Sequence, residues 1–119
     1  MDNVNRFKKY TQLIIYTLKN DIDNNPLKCK KISELASDAK IDRKQLEAGF
    51  KFLFESTIKK YQTLRKMEAS QELLDDGRHT ISEIAYKCGY DLPNSYSKAF
   101  KKIYGQTPTE FQNRTKKDT

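Results

Sequence analysis

Residues 81–111 read ISEIAYKCGYDLPNSYSKAFKKIYGQTPTEF, and residues 32–61 read ISELASDAKIDRKQLEAGFKFLFESTIKKY. The two stretches are near copies. Ile32, Ser33, Glu34, Leu35 and Ala36 fall on Ile81, Ser82, Glu83, Ile84 and Ala85. One extra residue in the second turn restores the register. Leu46 then falls on Tyr96, Phe50 on Phe100, Lys51 on Lys101, Leu53 on Ile103, Thr57 on Thr107 and Tyr61 on Phe111. Each copy therefore predicts a helix-turn-helix. Such a unit used twice on a basic chain points to a reader of two places on one extended, negatively charged partner.

Working outward, the pattern predicts an all-α fold of about seven helices: two helix-turn-helix subdomains, residues 1–55 and 78–119, joined by a long linker helix over 56–77. Phe7, Tyr10, Ile14 and Leu18 recur at helical spacing and predict a first helix over roughly 4–22. Pro26 cannot continue it. A short helix over 31–40 follows. Asp42 is placed as an N-cap, with Gln45 at the third helical position, for a helix reaching Phe54. Ser56 is expected to cap the linker helix and Gly77 to stop it. The linker's apolar residues Ile58, Tyr61, Leu64 and Met67 advance in threes and drift around its axis, while Ala69, Leu73 and Leu74 lie on another side, as suits a connector between two bodies. Thr80 to Glu83 forms a capping box, Gly89 and Gly105 end the next two helices, and Thr107, Pro108 and Glu110 open the last. The closing KKDT reads as a frayed tail.

Composition sets the outer bounds. The chain has 119 residues, a net charge of +7 and an isoelectric point near 9.4, which favours an acidic partner. The charge is uneven: residues 42–77 are neutral overall, whereas residues 92–119 carry six Lys or Arg against two acids. Cys29 and Cys88 form no CxxC pair, which suits a reduced, cytoplasmic chain. Met1 runs directly into polar residues and no apolar run approaches spanning length, so neither secretion nor a membrane partner is expected.

The elements IAxxxGY, then a polar turn, then SxSKAFKKxxGxTPxEF, as they stand in residues 84–111, resemble the signature of the AraC/XylS family of bacterial transcription regulators. The resemblance extends over roughly residues 5–115. It implies two helix-turn-helix subdomains joined by a long helix, each placing its second helix in the major groove of double-stranded DNA. A linker of about 20 residues spans roughly 30 Å, close to the roughly 34 Å between successive major-groove segments on one face of DNA. One monomer of the domain would then suffice for two adjacent turns. The resemblance adds RNA polymerase as a partner and favours activation; no cofactor and no metal are expected.

The expected readers follow from these alignments. In the second unit Asn94, Ser95, Ser97 and Lys98 match family positions near bases; Asn pairs with adenine and Lys reaches guanine O6 and N7. Lys101, Lys102 and Arg78 are expected on phosphates, with the helix opening at Thr107 as a further phosphate seat. In the first unit Arg43, Lys44, Gln45 and Glu47 stand at base-reading places and Lys51 at a phosphate place. Glu47 and Ala48 depart from the long polar or basic residues common there, although Glu can accept from cytosine N4. Gly49 weakens its helix, and Glu55 replaces the glycine that ends the matching helix. The first unit is therefore expected to read less stringently or to serve as a brace. Leu35, Ala36, Ile41, Leu46, Phe50 and Leu53, with Ile84, Ala85, Tyr90, Tyr96, Phe100, Ile103, Tyr104 and Phe111, are assigned to the two cores rather than to base stacking.

Two other readings compete with DNA binding. Catalysis has little material: His79 is the only histidine, and there is no phosphate-cradling glycine loop. A helical protein-interaction module without sequence-specific DNA readout is the other reading, and the neutral middle of the chain permits it.

Overall fold

The computed structural model describes residues 9–117, all of whose regular elements are helices. In chain order they are α1 (Lys9–Asn24), α2 (Ile32–Ala39), α3 (Arg43–Phe54), α4 (Ile58–Asp76), α5 (Ile81–Lys87), α6 (Pro93–Tyr104) and α7 (Pro108–Lys117). The seven-helix, all-α expectation is borne out. The chain divides into two compact units between Thr63 and Leu64, inside α4.

The internal repeat reappears in the hydrogen bonds. In the first unit Ile41 N–H donates to the Ala36 carbonyl at 3.1 Å, and in the second Tyr90 N–H donates to Ala85 at 3.0 Å. Glu55 N–H reaches Lys51 at 2.8 Å, and Gly105 N–H reaches Lys101 at 2.7 Å. The aromatic packing repeats as well. Phe50 meets Tyr61 edge-on with centroids 5.6 Å apart, and Phe100 meets Phe111 edge-on at 5.7 Å. Thus α2–α3–α4 and α5–α6–α7 are two copies of one three-helix arrangement.

The first core gathers Ile15, Leu18 and Ile22 of α1, Ala36 of α2, Leu46 and Phe50 of α3, and Ile58 of α4, with Leu35, Ile41, Leu53 and Tyr61 partly buried around them. In the second unit Met67, Leu74, Ile84, Ala85, Cys88, Tyr96 and Phe100 are buried. There α7 is tied to α4 by the Gln112 side-chain amide, which donates to the Leu74 carbonyl at 3.2 Å. Within α4, then, Ile58 and Tyr61 serve the first core, and Met67 and Leu74 are buried in the second unit.

Several expectations needed correction. The buried face of α1 is Thr11, Ile15, Leu18 and Ile22; Leu18 is buried and Ile14 packs against the core as expected, but Tyr10 is 63% exposed. Thr11 can be buried because its hydroxyl receives the Gln45 side-chain amide at 3.4 Å. Gln45 is therefore turned to α1 and not back to the start of its own helix. Phe7 lies outside the described residues. Thr57, not Ser56, caps α4, accepting the Lys60 N–H at 3.1 Å, just as its counterpart Thr107 accepts that of Glu110. Asp42 caps α3 as expected, accepting the Lys44 N–H at 3.4 Å. Of the assigned core residues, Ile103 is 37% exposed. In the tail, Lys116 and Lys117 belong to α7, while Asp118 and Thr119 lie outside the described residues.

The copies differ at their left-handed positions. The second unit places Gly89 (φ 84°) and Gly105 (φ 76°) where the backbone turns; the first places Lys40 and Glu55, both at φ 56°. A side chain in that region costs roughly 1 kcal/mol relative to glycine. Glu55→Gly should therefore stabilise the chain by about 0.5–1 kcal/mol, and Gly105→Ala should destabilise it by about 1 kcal/mol. Urea unfolding midpoints at unchanged slope check both signs.

Candidate nucleic-acid interface

The outer face of α6 is set by what its inner face buries. Pro93 occupies the first turn, with its φ already helical, behind the extended residue Leu92. Tyr96 and Phe100 then have no exposed surface. With 3.6 residues per turn, burying those two turns Asn94, Ser95, Ser97, Lys98, Lys101 and Lys102 to the other side. Asn94, Ser95, Lys98, Lys101 and Lys102 are exposed and Ser97 is half-buried, so the structure brings all six onto one face without an acidic residue among them. Rotating the helix would bring Tyr96 and Phe100 into water, at about 1.5–3 kcal/mol for a large apolar side chain. Burial pushes the Tyr96 hydroxyl up to about 12, while the nearby Ser70 hydroxyl pulls the other way. That Ser70 hydroxyl donates to the Met67 carbonyl at 2.7 Å.

In α3 Leu46, Gly49 and Phe50 are buried, leaving Arg43, Lys44, Ala48 and Lys51 exposed and Glu47 half-buried. Position by position, Lys44 stands where the second unit has Asn94, Gln45 where it has Ser95, Glu47 where it has Ser97, Ala48 where it has Lys98, and Phe52 where it has Lys102. This outer face carries an acid and an exposed phenyl ring where its counterpart carries only polar and basic groups. Gln45 is half-buried like Glu47 and Ser97, and its side-chain amide is engaged with Thr11 of α1. Arg43 and Glu47 are not independent: Arg43 Nε donates to Glu47 Oε1 at 2.8 Å. Their i, i+4 spacing was the visible signal for that pair.

Of the expected phosphate residues, Lys51 lies on α3, and Lys101 and Lys102 lie on α6. Lys51, Lys101 and Lys102 are exposed. Arg78 is exposed and pairs with Asp76 at 3.1 Å. At Thr107 the capping box engages two backbone N–H groups. The Thr107 N–H donates to Glu110 Oε1 at 3.0 Å, and its hydroxyl accepts the Glu110 N–H at 3.1 Å. A phosphate at this helix start would compete with the Glu110 carboxylate. An equivalent box joins Thr80 and Glu83 at the start of α5. In both boxes hydrogen bonds from the capping threonine, its backbone N–H first, hold the glutamate pKa below its ordinary value. Among the described residues, no group of three or more His, Cys, Asp or Glu is arranged to hold a metal ion, and no helix is long and apolar enough to cross a membrane.

Residues 35–114 match the model of a helix-turn-helix domain family. Among curated proteins the chain is 29% identical, over 105 residues, to the "Probable transcriptional regulator LumQ" of Photobacterium leiognathi, covering 88% of this chain and 42% of that protein. Among solved structures it resembles the C-terminal domain of AraT, a response regulator from Geobacillus stearothermophilus, with a TM-score of 0.79 and 24% identity over 85% of this chain and 84% of that one. It also resembles the DNA-binding domain of AdpA, a global transcriptional factor solved in complex with a target DNA, with a TM-score of 0.77 and 18% identity over 84% and 90% of the two chains. The chain spans less than half the length of the curated relatives it matches first.

The capping glutamates make acid sensitivity checkable. A carboxylate with a lowered folded pKa contributes stability above its unfolded pKa and loses it as pH falls through the folded value. The Glu83→Gln, Glu110→Gln double variant should melt below the parent at pH 7. The gap should close as the pH falls below the ordinary glutamate value of about 4.3. Thermal melts at pH 7 and pH 3 test this, and an equal gap at both would contradict it.

Proposed function

The chain belongs to the AraC-type helix-turn-helix family of DNA-binding transcription regulator domains, and we propose that it binds double-stranded DNA sequence-specifically, with α6 and α3 as its two reading helices. One observation carries this reading. The outer face of α6 presents Asn94, Ser95, Ser97, Lys98, Lys101 and Lys102 with no acid among them, and the buried Tyr96 and Phe100 fix its orientation. Amide and ammonium groups on one exposed helix are the chemistry that reads major-groove base edges and grips phosphate. The complex of the AdpA domain with a target DNA supports the same use of a shared fold.

Asn94 and Lys98 are the principal readers in this proposal, with Ser95 and Ser97 as shorter, less selective contacts. Lys101, Lys102, Arg78 and Lys51 hold phosphates and set register. Thr107 contributes only where a phosphate displaces its glutamate. In the first unit Arg43 and Lys44 are the readers, and the acid and phenyl ring on α3 make this unit the less stringent of the two. A single copy of the domain occupies two major-groove segments, and the regulator acts as an activator that contacts RNA polymerase.

Duplex affinity should fall steeply with salt, with a log–log slope of about −0.9 per phosphate neutralised. Asn94→Ala and Lys98→Ala should each reduce the preference for a selected duplex over random duplex by roughly 1–3 kcal/mol, whereas Lys101→Ala should weaken both equally. Equal losses on both duplexes for all three variants would remove α6 as the reading helix. Absence of duplex binding at low salt would favour the protein-interaction reading instead.

A further inference from the structure

We infer that Glu47 is a positioning residue that presets Arg43 to read guanine, so that the first unit selects a guanine-bearing step rather than only bracing the domain. This rests on the DNA-reading role proposed above. Arg43 is the first residue of α3, and N-terminal residues of a reading helix are the ones that reach base edges. Its guanidinium is tied to Glu47 through Nε alone, at 2.8 Å, and both side chains remain accessible, 59% and 42% exposed. A guanidinium has five N–H donors in a fixed fork. With Nε committed to a carboxylate, the two terminal amino groups remain available, and such an end-on pair matches O6 and N7 of guanine. Holding the side chain in place also removes rotamer freedom that binding would otherwise have to remove.

The pair is poorly arranged for helix stability. Arg before Glu at i, i+4 is the weaker order, and a cation on the first residue opposes the helix dipole. On a face that approaches phosphates, an acid also repels the partner. Its presence is accounted for if its work is done on Arg43. Asp42, the other acid beside Arg43, is engaged in capping, accepting the Lys44 N–H. The second unit has no counterpart, because Pro93 and Ser97 stand at the corresponding places. The two units would thus use different readout chemistries, a guanidinium fork in one and amide and ammonium groups in the other.

The test selects duplexes from a random pool with the parent chain and with Arg43→Ala, Glu47→Ala and Glu47→Gln, with circular dichroism melts to confirm folding. The parent should enrich one guanine whose enrichment disappears in Arg43→Ala. Replacing that guanine by adenine should weaken parent binding roughly 5- to 150-fold. In Glu47→Ala this ratio should shrink at least about threefold while affinity for random duplex rises, because a repulsive charge has gone. Glu47→Gln keeps an acceptor for Nε, so it should retain the guanine ratio and show the same rise. Full guanine preference in Glu47→Ala overturns the inference. So does a lost cytosine preference in its place, which makes Glu47 a reader in its own right, or the lack of any guanine that depends on Arg43. Failure of the parent to bind any duplex at low salt overturns the DNA-reading proposal itself, and that result is distinct from the other three.

Discussion

Phe50 and Phe100 sit at the middle of α3 and α6 with no exposed surface, each edge-on to an aromatic ring of the helix that follows. Everything functional in the two units depends on this pin. It fixes the rotation of each second helix, so it decides which residues are core and which meet a partner. The ring further along each helix repeats the device: Phe54 lies 4.9 Å from Phe50, and Tyr104 lies 4.7 Å from Phe100. Non-directional burial alone would tolerate several rotations of a short helix. Interlocked aromatic rings at these spacings are far more selective.

Away from the pin the two copies have diverged. The turns of the first unit place Lys40 and Glu55 in the left-handed region that glycine occupies in the second. The outer face of α3 holds Glu47 and Phe52 where α6 is polar or basic throughout. Both differences weaken the first unit's fit to a polyanion or its backbone economy, and neither touches the shared core. The units have kept one packing solution and separated in surface chemistry.

Much of this was readable from the chain. Helix-turn-helix spacing, the two capping boxes and the glycine stops depend on neighbours within four residues, so local chemistry declares them. The outward set on α6 was readable too, since Tyr96 and Phe100 could be assigned to the core from their match to Leu46 and Phe50. What was misread depended on distant partners. Thr11 looks like a surface residue until Gln45, thirty-four positions away, satisfies its hydroxyl, and with Thr11 buried Tyr10 turns outward. Ser56 and Thr57 are equally good caps by type; the repeat, which pairs Thr57 with Thr107, held the answer. Ile103 has the spacing of its partly buried counterpart Leu53, yet it is 37% exposed in the last turn of α6.

The separation of duties along α6 has an evolutionary consequence. Its inward residues are settled by ring packing, while its outward ones make few contacts that folding requires. Substitutions at positions 94, 95, 98, 101 and 102 are therefore nearly free of cost to the native state. If α6 reads DNA as proposed, a lineage carrying this domain can change its targets by drift across those five sites while the fold is kept.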